Sequence, residues 1–442
     1  MTGKHLQLRQ RATLLLCVNA THTMRPSRRF TALAAVACVL VLASPARADD
    51  AANLRHAHAL LKSTPLVDGH NDLPIIIAEN KAAPADVDRY DLNLPMPHET
   101  DIARMRKGHL TVQFWAAYVP GELKTGWARM GFEQVELTRR MIAKYPADLA
   151  PAYGSLDIRR AFRSGRIASL IGLEGGHMIE NSLGVLRAFY LLGARTMTLT
   201  HNVTLDWADA ALDAPRHHGL TPFGKEVVRE MNRLGMLVDL SHVSAGVMRD
   251  ALDTTEAPLI FSHSSALALT DHPRNVPDDV LARMPKNGGV VMVTYVPGFV
   301  SPAAAAWGIG ERAALKSAGA DSSAIETARL AYEKAHGPMP KASLRQVADH
   351  IDHVARVAGK NHVGLAADFG GDPMPVGLED VATYPALFAE LIKRGWSDAD
   401  LRKLAGRNLI RTLRDAETVA ARLQKLRKPS TATIEGLDGK KT

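Results

Sequence analysis

The chain has 442 residues and a formal net charge of +8 at neutral pH. A chain of this length forms one large domain or two ordinary ones, and an α/β barrel often exceeds about 250 residues as a single unit. Seven of the basic residues lie within residues 1–48, which contain no acidic residue, so the net charge is about +1 from Asp49 onward. Net charge therefore gives no reason to expect nucleic-acid binding.

The first 48 residues have the organisation of a secretory leader. Three arginines follow Met24, an apolar run of 13 residues occupies positions 30–42, and an A-x-A cleavage motif ends at Ala48. The apolar run is shorter than the roughly 17–25 residues that span a bilayer, so a cleaved signal peptide is favoured over a membrane anchor. We predict translation from Met24, cleavage before Asp49 and no stable membrane anchor afterwards.

Both cysteines, Cys17 and Cys38, belong to this leader. The mature chain then has no thiol and no disulfide, and a metal site must be built from His, Asp and Glu. A homodimer, if one forms, must be non-covalent. Export without cysteines indicates a bacterial periplasm.

Short apolar runs alternate with amphipathic helical patterns through most of the chain. Eight runs are predicted to be strands: 66–69, 111–118, 168–173, 196–200, 236–240, 259–262, 290–295 and 362–366. Helices are predicted between several of them, including 132–144, 182–192, 222–234 and 343–358. This alternation predicts an α/β fold, a (β/α)8 TIM-type barrel with its chemistry at the carboxyl ends of the strands.

Three segments extend the barrel. Residues 300–341 are rich in alanine and are predicted to be helical, either as surface decoration, which we favour, or as a cap over the pocket. Residues 378–413 predict two or three C-terminal helices. The barrel domain is predicted to span residues 49–424, and the polar tail 425–442 is predicted to be disordered.

Metal-ligating residue types stand at the ends of six predicted strands. They are His70 and Asp72, Glu174, His201, Asp239 and His242, His263, and Asp368. A lone histidine in such a position is more often a turn or core residue, but a barrel brings all its strand ends to one pocket. Because buried ionisable groups are costly unless they are paired or coordinated, their joint placement favours a metal centre.

A carboxylate such as Glu174 can bridge two metal ions. Two ions about 3.5–4 Å apart can hold a hydroxide as nucleophile and polarise the carbonyl that it attacks. The sequence has no convincing nucleophile elbow and no mature thiol, so amide hydrolysis would proceed without a protein nucleophile. Imidazole and carboxylate ligands suit zinc and also accept manganese or cobalt.

Seven motifs occur in order between residues 66 and 413: DGHNDLP, GLEGGH, LTHN, DLSHVS, FSHSSA, RNVPDDVL and HVGLAADFGG. Together they resemble the renal or membrane dipeptidases, a family of dinuclear zinc peptidases with an amidohydrolase-like barrel. The resemblance implies two Zn²⁺ ions per chain. His70 and Asp72 would bind one ion, His242 and His263 would bind the other, and Glu174 would bridge them.

The resemblance also implies three roles toward the substrate. His201 would contact the scissile carbonyl or its oxyanion, and Arg274 would bind the free C-terminal carboxylate through its planar fork. Asp368 would transfer a proton from the bridging water to the departing amine. The family usually has Asp-Phe-Asp-Gly after the last strand, whereas Gly370 replaces the second acid here, so Asp368 would act alone.

The sequence thus predicts an exported zinc dipeptidase that cleaves free L-L dipeptides and, as some family members do, L-D dipeptides. Another binuclear metal hydrolase on the same barrel, such as a lactonase or a phosphotriesterase-like enzyme, remains an alternative because a fold does not fix its substrate. A catalytically inactive exported zinc-binding protein is a second alternative. A carboxylate clamp at Arg274 favours dipeptides over neutral esters, and a complete ligand set with Asp368 argues against inactivity.

Overall fold

The computed structural model describes residues 45–318, 322–370 and 373–439. The predicted leader, except for its last four residues, lies outside these ranges, as do both cysteines. Within the described ranges, no helix combines the length and the apolar composition needed to cross a bilayer.

The strands of the described chain form one parallel sheet. They are β1 (Val67–Asn71), β2 (Val112–Tyr118), β3 (Leu149–Pro151), β4 (Ile167–Glu174), β5 (Ala194–Thr198), β6 (Leu237–Asp239), β7 (Ile260–Phe261), β8 (Val290–Thr294) and β9 (Val363–Ala366). Eight of them pair in the order β1-β2-β4-β5-β6-β7-β8-β9, and β3 pairs with β4 off this path. A parallel bridge between Asn71 and Phe369 joins the two ends of the sheet. The predicted (β/α)8 barrel is confirmed.

The helices lie between and after these strands. They are α1 (Pro45–Leu61), α2 (Leu73–Ala78), α3 (Ile102–Lys107), α4 (Trp127–Lys144), α5 (Ser155–Arg163), α6 (Leu183–Leu192), α7 (Pro222–Leu234), α8 (Ala245–Thr254), α9 (Asp278–Leu281), α10 (Met284–Asn287), α11 (Pro297–Val300), α12 (Pro302–Ala318), α13 (Ser322–His336), α14 (Leu344–Val357), α15 (Tyr384–Lys393), α16 (Asp398–Arg402), α17 (Asn408–Leu426) and α18 (Ile434–Asp438). Gly176–Ile179 forms a 3₁₀ turn and Lys403–Arg407 a π-helical turn.

Local capping explains why helices such as α7 and α14 begin where the sequence predicts. In α7, Pro222 follows Thr221, whose hydroxyl oxygen accepts a hydrogen bond from the Gly224 amide at 3.2 Å. In α14, the Ser343 hydroxyl accepts from the Gln346 amide, and the Gln346 side chain accepts from the Ser343 amide at 2.9 Å. Each cap satisfies amides that have no partner inside the helix.

The barrel strands are buried along their length. Every residue of β1, β6, β7, β8 and β9 is buried, and β7, β8 and β9 accordingly lack charged residues. In β1 and β6 the buried polar residues, such as Asp68 and Asp239, stand at or near the site. Space inside is limited: a Cβ added to Gly69 would lie 2.6 Å from Met292 Sδ and 2.7 Å from the Ser262 carbonyl oxygen. A glycine therefore precedes His70 because only glycine fits this close approach.

Two local features differ from the sequence predictions. The short strand β3 was not predicted, because three residues ending in Pro151 carry no period that identifies a strand. In the segment predicted as a disordered tail, α18 lies against α7. The Asp438 carboxylate accepts hydrogen bonds from the Thr221 hydroxyl at 2.6 Å and the Phe223 amide at 2.9 Å. Polar composition alone gave no signal of this capping contact.

The buried His350 of α14 makes the stability of the fold depend on pH. The residue is 1% exposed, and its Nδ1 atom accepts a hydrogen bond from the Ala266 amide at 3.0 Å. Nε2 therefore carries the proton of the neutral ring and lies 3.3 Å from the Thr270 hydroxyl oxygen. Burial lowers the pKa of His350 to about 4.

We predict that His350 makes the fold less stable as the pH falls from 7 to 5. The unfolded chain takes up a proton on this histidine near pH 6.5, whereas the folded chain does so only near pH 4. The difference destabilises the fold by about 2 kcal/mol at pH 5. His350→Gln should lose less stability than the wild type over this interval when both are unfolded in urea at each pH. The variant His98→Gln, at an exposed position, serves as the control. An equal loss of stability in the wild type and both variants would refute the role of His350.

Candidate metal centre

The carboxyl ends of the barrel strands bring together all eight residues that were predicted for the site. Six of them line one cavity of about 280 Å³, and the ring nitrogens of His70 and His263 lie against the carboxylate of Glu174 within the same cluster. The residues that line the cavity are Asp72, Glu174, His201, His242, Arg274 and Asp368. The structure therefore places no predicted site residue elsewhere.

Glu174, at the end of β4, lies at the centre of this cluster. Its Oε1 atom is 3.1 Å from His242 Nε2, 3.5 Å from His70 Nε2 and 3.7 Å from the Nε2 atoms of both His201 and His263. One carboxylate thus faces four imidazoles contributed by four other strand ends. This position makes Glu174 the candidate for a carboxylate shared by two metal ions.

The spacing of the donor atoms fits a centre for divalent metal ions. His70 Nε2 is 3.3 Å from Asp72 Oδ1 and 3.7 Å from Asp368 Oδ1, and the Nε2 atoms of His242 and His263 are 2.8 Å apart. Ligand atoms around a tetrahedral zinc ion lie about 3.3 Å from one another. Among the described residues, His70 Nε2 is buried without a hydrogen-bond partner, as expected for an atom that binds a metal.

The protonation of two of the histidines also suits metal binding. Burial lowers the pKa values of His242 and His263 well below the usual range, and the nearby positive charge of Arg274 acts in the same direction. These neutral imidazoles present the lone pairs that a metal ion needs. Burial opposes protonation of His70 as well, but the adjacent Glu174 and Asp72 carboxylates outweigh it and raise its pKa, so His70 would release a proton when a metal ion binds.

Two buried carboxylates outside the eight predicted site residues hold the strand ends of the cluster in place. The first is Asp68, whose Oδ1 accepts hydrogen bonds from the amides of His70 at 3.1 Å and Ala367 at 3.0 Å. Its Oδ2 accepts from the Tyr384 hydroxyl at 2.5 Å. Asp68 thereby joins the end of β1 to the end of β9, next to Asp368.

The second carboxylate, Asp239, has the same function between β6 and β7. Its Oδ1 accepts from the amides of Ser241 at 3.0 Å and Ser262 at 2.8 Å. The Ser241 hydroxyl oxygen accepts from the His263 amide at 2.9 Å, and the Ser262 hydroxyl lies 2.7 Å from His263 Nδ1. Asp239 was singled out as a metal-type residue, but it orients a neighbouring ligand instead. The recurring signal is an aspartate two or three residues before a strand-end histidine.

His242 is oriented by a contact and by its backbone. Its Nδ1 lies 3.2 Å from Asn202 Oδ1, which leaves Nε2 as the lone pair facing Glu174. His242 has a φ angle of 69° and Asp368 one of 63°, both in the left-handed region that non-glycine residues seldom adopt. Such strain persists where the surrounding structure imposes it, and it is concentrated at functional sites.

Gly370 differs from the usual family residue for a geometric reason. It lines the cavity with a φ angle of 122°, and a Cβ there would lie 3.0 Å from Asp72 Cβ and 2.8 Å from Ile76 Cδ1. Any side chain at position 370 would be strained by this φ angle and would press on Ile76 and Asp72. Asp368 is accordingly the carboxylate that the segment after β9 contributes to the cluster.

Arg274 is a buried cation that lines the same cavity. It is 3% exposed, its Nη2 donates to the His263 carbonyl oxygen at 3.3 Å, and its guanidinium lies over the Phe299 ring at 4.8 Å. In the described part of the chain it has no ion pair, and its Nε atom has no hydrogen-bond partner. Burial lowers its pKa to about 10. A buried guanidinium with unused donors is an anion-binding group.

Further side chains that were not predicted also line the cavity, among them Tyr118, Phe299 and Arg312. Arg312 belongs to α12, within the segment that was favoured as surface decoration. The segment is helical, as predicted, but it also contributes to the cavity wall. Its composition could not reveal this, because the direction of one arginine on an alanine-rich helix has no sequence signature.

Comparison with known proteins gives a consistent assignment. The model of the membrane dipeptidase family, peptidase family M19, matches residues 54–427. A protein of Schizosaccharomyces pombe described as an uncharacterized dipeptidase is 40% identical over 382 residues, which are 82% of this chain and 83% of that protein.

Solved structures share the fold. The probable dipeptidase PvdM from Pseudomonas aeruginosa has a TM-score of 0.74 and 24% identity, covering 84% of this chain and 100% of that one. A metallopeptidase from Rhodobacter sphaeroides, liganded with a phosphinate mimic of the dipeptide L-Ala-D-Ala, has a TM-score of 0.66 and 22% identity, covering 80% and 99%. With the family match and the identity to the yeast protein, these findings confirm the resemblance: the chain belongs to the membrane dipeptidase family, peptidase family M19, and is a metal-dependent peptide hydrolase.

Proposed function

We propose that this enzyme is an exported zinc-dependent dipeptidase that hydrolyses the amide bond of free dipeptides, L-D as well as L-L. The observation that carries the proposal is the buried, unpaired Arg274 in the same cavity as the metal-ligand cluster. A cation in the same cavity as the cluster would hold the free carboxylate of a dipeptide whose amide lies at the metal ions. Longer peptides and substrates without that carboxylate would bind poorly.

The ligand set supports two zinc ions, with Glu174 between them. His70 and Asp72 would hold one ion, and His242 and His263 would hold the other. Two such ions would supply a hydroxide nucleophile and polarise the scissile carbonyl.

His201 would stabilise the oxyanion that forms from the carbonyl. Burial lowers its pKa, so the ring is neutral and has one N–H to donate. Ring contacts with His242 at 4.3 Å and Tyr118 at 4.7 Å between centroids hold it at the cavity wall. A donor fixed in advance favours the transition state more than the ground state.

Asp368 would carry the proton to the departing amine. Its Oδ1 lies 3.7 Å from His70 Nε2, and the residue lines the cavity, so its carboxylate can reach both the nucleophile and the amide nitrogen. Gly370 offers no competing acid. A single positioned carboxyl group is sufficient for general acid-base catalysis of this kind.

Two further observations support the substrate class. The Rhodobacter sphaeroides relative binds a mimic of an L-D dipeptide, which supports activity on L-D substrates. The cavity of about 280 Å³ has the size of a small ligand rather than of an extended peptide.

The export part of the proposal is supported by the leader sequence, with Ala48 at the cleavage position. We propose a periplasmic location. Expression of the full chain in a bacterial host should yield a periplasmic form whose intact mass is that of a chain beginning at Asp49. A mass that retains residues 24–48 would contradict the cleavage.

We predict that the zinc-loaded enzyme releases amino acids from free dipeptides and leaves tripeptides and C-amidated dipeptides largely uncut. Arg274→Ala should lower kcat/KM for free dipeptides by about 100-fold, mainly through KM, because a buried carboxylate loses its charged partner. The same change should have little effect on the weak turnover of an amidated dipeptide. The matched control is Arg283→Ala, which removes an exposed arginine paired with Asp253.

Two outcomes would contradict the carboxylate clamp. One is equal turnover of free and amidated dipeptides by the wild type, and the other is an equal loss on both substrates in the variant. Chelation should abolish the wild-type activity and zinc should restore it. Turnover of lactones or phosphoesters without any dipeptide cleavage would replace the proposed substrate class.

We also predict that Glu174→Ala loses metal and activity together. The bridging carboxylate serves both ions, so plasma mass spectrometry of the purified variant should find less than one metal ion per chain. Activity should fall by at least about 100-fold, because loss of a direct ligand exceeds the effect of a supporting residue. Glu136→Ala on the exposed side of α4 should retain both. A variant at position 174 that keeps two metals would exclude the bridging role.

A further inference from the structure

A second arginine, Arg312, lines the same cavity as Arg274. It comes from α12 and is exposed at the cavity wall, whereas Arg274 is buried within it. Arg312 is therefore available to a ligand that binds to the proposed carboxylate clamp.

Arg312 has no acidic partner. Within the described ranges of the chain, no ion pair or hydrogen bond involves its guanidinium. The acidic residues that line the cavity are Asp72, Glu174 and Asp368, and all three belong to the metal-ligand cluster. No carboxylate of the described chain pairs with Arg312, and it lines the same cavity as Arg274, so the cavity offers two cationic groups to an anion with two negative groups.

We propose that Arg312 is a specificity-determining residue that binds an acidic side chain on the C-terminal residue of the dipeptide. This inference rests on the proposed dipeptidase function. With the α-carboxylate on Arg274, the side chain of the same residue starts from the adjacent carbon, and Asp or Glu would direct a second carboxylate toward the neighbouring arginine. The preferred substrate class is then dipeptides that end in an acidic residue.

The position of Arg312 also sets the size of the effect. An exposed ion pair contributes little, so the preference for an acidic over an isosteric neutral side chain should be about fivefold in kcat/KM. It should appear mainly in KM and should decrease as salt is added, because the pair is screened.

The test compares Ala-Asp with Ala-Asn, and Asp-Ala with Asn-Ala, each in L-L and L-D forms. The wild type should prefer Ala-Asp about fivefold over Ala-Asn and show no comparable preference in the other pair. Arg312→Met should bring the Ala-Asp to Ala-Asn ratio to about one, and Arg312→Glu should invert it. The control Lys316→Met removes an exposed charge from the last turn of the same helix and should keep the wild-type ratio.

Three outcomes would overturn the assignment: no preference in the wild type, an unchanged ratio in Arg312→Met, or a preference that follows the N-terminal residue instead. Failure of the dipeptidase proposal is distinguishable, because then none of the dipeptides is cleaved by any variant. In that case calorimetric binding of Ala-Asp and Ala-Asn to the wild type and to Arg312→Met decides the role of Arg312. Tighter binding of Ala-Asp that disappears in the variant supports it, and equal binding refutes it.

Discussion

The cost of burying ionisable groups at the mouth of a closed barrel is the constraint on which the site depends. An uncompensated buried charge costs several kcal/mol, and this site concentrates four histidines around one glutamate. The cluster is tolerable because its members compensate one another and because metal ions would complete the compensation. Glu174 is the common neighbour, so the geometry of the whole site follows from the position of one strand end.

Hydrogen bonds to two other buried acids maintain that geometry. Asp68 connects β1 to β9, and Asp239 connects β6 to β7. The amides that donate to these carboxylates belong to candidate metal-ligand residues or lie within two residues of one. The same hydrogen bonds therefore join neighbouring strands of the barrel and orient the candidate ligand side chains. Loss of these bonds would affect both the stability of the fold and the geometry of the site.

The sequence predicted the strands and the residues that cluster at their ends because both have local signatures. Short apolar runs indicated the strands, and a histidine or acid after six of the runs indicated a candidate ligand. Contacts between distant segments had no such signature. Asp68 accepts a hydrogen bond from the amide of Ala367, which is 299 positions away in the sequence. The presence of Arg312 in the cavity likewise depends on how α12 packs. The tail contact of Asp438 with the start of α7 was missed for the same reason.

The described cavity combines two kinds of chemical group. Members of the candidate metal cluster line it together with Arg274 and Arg312. A substrate that contacts both would carry an amide beside the cluster and negative charge beside the arginines. The family fixes the type of reaction, while side chains such as Arg312, on a segment outside the barrel strands, adjust the choice of substrate.

The most direct test of the central claim is anomalous X-ray diffraction at the zinc edge from crystals of zinc-loaded enzyme. Our account predicts two anomalous peaks about 3.5 Å apart, on either side of the Glu174 carboxylate. His70 and Asp72 should contact one peak, and His242 and His263 the other. A single peak, or two peaks that do not share Glu174, would contradict the dinuclear centre on which the account depends.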